Sequence, residues 1–205
     1  MLTAFRKKVN SGFTLVELLV TISIFVILTG VVLFSQTKFN STILLTNLAY
    51  DTALTIRQAQ NYGINIKEFN LGGVSKFVPY GIHFDLTKNK SFILFADLNF
   101  DLNTKELSPF SSDDASRCLN NEGCVNIYNI KRNNYISTLC VVSSGSELCE
   151  PVEKLDILFQ RPNPDAVIFG DGENNKSRAI ITLKGVDGSD RQVVVQANGL
   201  IEIVH

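Results

Sequence analysis

From Phe13 to Phe34 the sequence carries one ionisable side chain, Glu17, in an otherwise apolar run. About 20 such residues, at ~1.5 Å each, cross the ~30 Å hydrocarbon core of a bilayer as a helix. Arg6, Lys7 and Lys8 precede the run, the flank expected of a segment whose start stays on the cytoplasmic side. Glu17 is the anomaly. A carboxylate at the centre of a spanning helix costs about 2.5–3.5 kcal/mol on insertion scales, so an intramembrane acid is usually paired and functional. A secretory signal peptide would explain the basic flank, but not the long run, the acid or the lack of a small-x-small cleavage site. A plain signal anchor leaves Gly12, Phe13 and Glu17 without a reason.

The run SGFTLVELLVTISIF, from Ser11 to Phe25, closely resembles the class III signal of type IV pilins and type II secretion pseudopilins. In that family a short basic leader ends in Gly, Phe follows, and Glu lies four positions later; here these are Gly12, Phe13 and Glu17. The resemblance implies cleavage between Gly12 and Phe13 by a prepilin peptidase, methylation of the new Phe13 amine, and retention of the apolar helix. It also implies assembly with other pilin or pseudopilin subunits on an inner-membrane platform. Residues four apart share a helix face, so Glu17 can offset the Phe13 amine within its own subunit. In the family it is thought to pair with a neighbour's amine. Such a pair in low dielectric selects register more than it adds stability.

At 205 residues the chain fits one domain plus an anchor. It has 19 basic and 20 acidic residues. Loss of the leader removes three cations and no acid, so the formal charge falls from −1 to −4. That balance argues against broad electrostatic binding of nucleic acid. Cys118, Cys124, Cys140 and Cys149 lie together in the second half. Four cysteines allow three pairings, and an exported domain favours disulfides. The pairs Cys118–Cys124 and Cys140–Cys149 are preferred, because each closes a short loop rich in Asn, Ser and Gly. A zinc site is disfavoured for want of C-x-x-C spacing and a nearby His.

Beyond Phe34, apolar residues recur at Phe39, Ile43, Leu44, Leu48, Leu54, Ile56 and Ala59. This predicts an amphipathic continuation of the helix, ending near Tyr62-Gly63 with Gly63 as a left-handed cap. Gly30 predicts a kink or a close packing contact. Tyr80–Asp85 and Ser91–Ala96 read as a hairpin around Lys88-Asn89-Lys90. Val125–Tyr128, Ile136–Val142 and Leu155–Phe159 read as strands, and 109–123 as irregular. Ala179–Lys184, Arg191–Val195 and Leu200–Val204 form a meander with turns at Asp187-Gly188 and Asn198-Gly199. The segment YGIHFD…SFILFADLNFD resembles the GspH/FimT-like minor pseudopilin head, in which a Gly-x-x-Phe strand precedes Phe-x-Asp-x-Asn. The expected fold is therefore α+β, with a long N-terminal helix packed on an antiparallel β-sheet head. Its first half is transmembrane and its second amphipathic, in the family's lollipop design. The expected segments are leader 1–12, transmembrane and assembly helix 13–34, amphipathic helix 35–63 and extracytoplasmic head 64–205.

Asp97, Asn99, Asp101 and Asn103 alternate along a loop, spacing that suits calcium, but the EF-hand glycine position is Leu102 and the bidentate acid position Ser108. An Asx-rich turn is the preferred reading, so no cofactor is expected. His83 reads as a sheet-face residue, and no nucleophile–base arrangement or phosphate loop appears, so the chain is not expected to be an enzyme. Lys131-Arg132, beside Tyr128 and Tyr135, is a small basic patch, read as a solvated loop. The expected function is structural: a subunit, minor by the head resemblance, of a pilus or secretion filament. It would be held in the cytoplasmic membrane with its head outside, then incorporated into the filament. Two rivals stand beside it, a DNA-uptake minor pilin and a surface domain on an uncleaved anchor.

Overall fold

The computed structural model describes residues 12–65, 67–71, 73–100, 104, 106–119, 124–174 and 176–204. The chain divides into two units, one ending at Asn40 and one from Ser41 to His205. Helix α1, Leu15–Ile64, runs through the division. In the first unit, every described residue of α1 up to Leu33 is exposed. The helix continues unbroken through Gly30, where an added Cβ would meet nothing in this chain.

In the second unit α1 buries Leu45, Ala49, Ala53, Ile56 and Ala59. Steps of four, four, three and three place these on one helix face. Thr52 and Thr55 are buried beside them, and their hydroxyls donate to Leu48 O and Asp51 O, which leaves no polar atom stranded. The stripe differs from the one expected. Ile43 and Leu54 are 41% and 59% exposed, and the side chain of Phe39 lies outside the described residues. The helix also runs one residue past Gly63, which is no left-handed cap. A Cβ on Gly63 would lie 2.3 Å from Phe159 O, so glycine is required there by a close approach.

Two five-stranded antiparallel sheets follow. The first has the order β5-β4-β3-β8-β9, from β3 (Tyr80–Asp85), β4 (Ser91–Ala96), β5 (Cys124–Asn129), β8 (Lys154–Phe159) and β9 (Ala166–Gly170). The second has the order β12-β11-β10-β6-β7, from β6 (Tyr135–Ser143), β7 (Glu150–Val152), β10 (Lys176–Lys184), β11 (Asp190–Gln196) and β12 (Ile201–Val204). A separate hairpin pairs β1 (Glu68–Leu71) with β2 (Val74–Phe77). Period-two alternation sends Ile82, Phe84, Leu94 and Ile157 of the first sheet, and Val141, Ile181, Val193 and Val195 of the second, into one core with the α1 stripe. The α+β architecture implied by the sequence is the one observed.

The expected irregular stretch 109–123 contains a helix, α2 (Ser112–Leu119). Its start is a reciprocal cap: Asp114 N donates to Ser111 Oγ, and Asp114 Oδ2 accepts from Ser111 N and Oγ. This is the capping-box geometry with Asp in place of Glu, and the helix is too short to show a period. The β3–β4 connection is a 3₁₀ turn, Leu86–Lys88, capped by Asp85 Oδ1 accepting from Thr87 N at 2.8 Å.

Candidate functional site

The segment that carries the motif begins outside the helix. Gly12, Phe13 and Thr14 precede α1, and Phe13 is 78% exposed. Thr14 caps the helix: its Oγ1 accepts from Glu17 N at 3.3 Å, and its carbonyl accepts from Leu18 N at 3.1 Å. Thr14 and Glu17 thus stand in the Thr-x-x-Glu relation of a capping box, and the acid sits in the first turn, where the helix dipole favours it. The sequence reading gave Thr14 no role, although the Thr-x-x-Glu pattern was there to be read.

From Leu15 to Leu33 the helix has a mean hydropathy of 2.6, and none of it is buried in the chain. Nineteen residues rise about 28 Å, long and apolar enough to cross a membrane. Its hydroxyls are satisfied internally: Thr21 donates to Leu18 O, Ser23 to Leu19 O and Thr29 to Phe25 O. In hydrocarbon such groups have no water to turn to. Glu17 is the one ionisable side chain in the span.

Disulfides join Cys118 to Cys124 and Cys140 to Cys149. The first ties the end of α2 to the first residue of β5. The second ties β6 to the residue before β7.

Asp97 and Asn99 do come together with Asp114, but as anchors for the covering loop. Asp97 Oδ1 accepts from Asn99 N at 3.1 Å and Oδ2 from Ser108 N at 2.9 Å, while Asn99 Nδ2 lies 3.4 Å from Asp114. Burial, with help from the Asp114 charge, pushes the Asp97 carboxyl up to about 6 against the opposing backbone bonds. Asp101 lies outside the described residues. Among those described, no three acidic, His or Cys side chains converge as a metal set.

His83 faces away from the main core. Its Nδ1 lies 2.6 Å from Asp156 Oδ1, its direct neighbour across β3 and β8, and both are buried. The Phe110 ring stacks on the imidazole at 4.3 Å, and Phe110 N donates to Asp156. Burial raises the Asp156 pKa, opposed by the bond to His83. The pair pins residues 107–111 over a small second core of Phe95, Leu158 and Phe169. Asp156 had gone unremarked, yet a lone acid inside the apolar strand Leu155–Phe159 was its signal.

The prokaryotic N-terminal methylation motif matches residues 7–33. The match covers the N-terminal segment alone and supports a type IV pilin-like, prepilin-type N-terminus there. Among curated proteins and solved structures, none matches the chain.

Proposed function

We propose that this chain is a structural subunit of a type IV pilus or type II secretion-like filament. A prepilin peptidase cuts between Gly12 and Phe13, the Phe13 amine is methylated, and the retained helix anchors the subunit in the cytoplasmic membrane until it joins the filament. One observation carries the reading: a span with no buried residue among those described, Leu15–Leu33, lies within the matched motif and holds a single acid in its first turn. An apolar surface of that size is covered by lipid before assembly and by other subunits after it. Glu17 then sets axial register by pairing with an amine. The minor-subunit assignment rests on the Gly81-x-x-Phe84 strand followed by Phe95-x-Asp97-x-Asn99.

The test is the N-terminus of the native protein. Mass spectrometry should find it at Phe13, carrying one methyl group, and Gly12→Asp should leave the leader attached. A native chain that still begins at Met1 would favour the uncleaved surface anchor instead.

A further inference from the structure

Two turns at one end of the second unit carry four cations and no carboxylate: Leu86–Lys90, between β3 and β4, and Ile130–Asn134, between β5 and β6. They are bound to each other, since Ile130 N donates to Lys90 O at 2.8 Å and Ile136 N to Asn89 O at 2.9 Å. Lys88, Lys90, Lys131 and Arg132 are all exposed. Among the described residues none of the four forms an ion pair. Three acids of the adjoining turns and strands are engaged or offset: Asp85 is bonded to Thr87, Asp187 to Ser189, and Asp190 lies opposite Lys184. Asp51 lines the same cleft as Lys131 and Arg132.

This is also the end at which α1 enters the unit. The Ser41 side chain hydrogen-bonds Asp187. Leu44 and Asn47 line, with Lys131 and Arg132, a cleft of about 340 Å³. The apolar span ends at Leu33, eight residues before Ser41. Even fully extended, that tether reaches no more than about 28 Å.

Arg132 adds an independent observation. It and Asn133 both sit at φ 60°. Asparagine tolerates the left-handed region and glycine is free there, but arginine is strained. Glycine would fit there without strain, yet the position holds a long cation.

We infer that these two turns dock on anionic lipid headgroups of the bilayer that holds the span. Anionic headgroups attract nearby Lys and Arg, and the attraction dies away within a Debye length. The cations must therefore be held close to the surface, which the tether permits because the turns lie at the end of the unit from which it leaves. The docked turns fix the tilt of the second unit on the membrane before assembly, and leaving the bilayer breaks the contact. The inference rests on the membrane anchoring proposed above.

The test reconstitutes the full chain into neutral phosphatidylcholine vesicles and into mixed phosphatidylcholine–phosphatidylglycerol vesicles. The acylation rates of Lys88, Lys90 and Lys131 are read by mass spectrometry, with Lys76 of β2 as reference. The three lysines should react several-fold more slowly in the anionic vesicles, and high salt should restore their rates. Arg132→Gly should raise the melting temperature while weakening the protection, a combination that a merely structural role would not give. Equal rates in both vesicles would overturn the inference, as would protection by a DNA oligonucleotide without protection by phosphatidylglycerol. Flotation with the neutral vesicles keeps the two readings apart. A chain that does not float loses the anchor and this inference with it; one that floats with equal rates loses this inference alone.

Discussion

At the scale of single residues, two acids stand in opposite situations. Glu17 is exposed at the start of an apolar helix, its backbone N–H held by Thr14 and no partner for its carboxylate among the described residues. Removing it should leave insertion intact, since an alanine is easier to place in a bilayer, but should remove the charge that fixes register. Glu17→Ala is expected to fractionate with membranes and to fail to enter filaments, read by shearing and sedimentation; normal filaments would contradict the role. Asp97 is buried and already satisfied by backbone donors. Its native pKa of about 6 lies above the ordinary 3.8, so folding takes up a proton in that interval. Its favourable contribution is full below about pH 4 and is lost as the pH rises through about 6. Asp97→Asn, which cannot titrate, should therefore show a smaller fall in melting temperature between pH 4 and pH 7 than the native chain.

At the scale of elements, what could be read depended on whether a local signal existed. Strand β10 declares itself because one face is buried and period two follows, whereas β3, β4 and β11 are legible as short runs of β-branched and aromatic residues bounded by turns. Strand β7 contains Pro151 and is three residues long; it exists because it is an edge strand paired to β6, where proline is tolerated. Helix α2 is fixed by its cap and its disulfide, and neither gives an apolar period. The division into two sheets was equally hidden, since the turn at Ile130–Asn134 looks like an ordinary hairpin and instead carries the chain from one sheet to the other. The disulfide makes α2 testable. Cys118 and Cys124 are six residues apart, and opening so short a loop costs about 2 kcal/mol in chain entropy. The double variant Cys118→Ser/Cys124→Ser should lower the urea midpoint accordingly. It should also speed hydrogen exchange in α2 and residues 107–111 first, while β10 and β11 keep their protection.

At the scale of the whole molecule, one helix draws its stability from two unrelated sources. Residues 41–64 of α1 are held by the core, through Leu45, Ala49, Ala53, Ile56 and Ala59 against both sheets. Leu15–Leu33 has no buried residue in the chain; in the bilayer proposed for it, the absence of water would hold its backbone bonds. The sequence displayed the second source as unbroken hydropathy but only partly displayed the first, because small buried alanines and threonines do not stand out against exposed Ile43, Tyr50 and Leu54. Two sources imply two responses to denaturant. With the full chain in vesicles, urea should expose the amides of residues 41–64 together with those of β10 and β11, at the midpoint of the second unit. The amides of Leu15–Leu33 should stay protected through that transition and exchange only when the bilayer is dissolved. Hydrogen exchange resolved by mass spectrometry would show the break, near the division between Asn40 and Ser41. Loss of protection along the entire helix in one step would mean that the span depends on the second unit for its structure and is not an independent anchor.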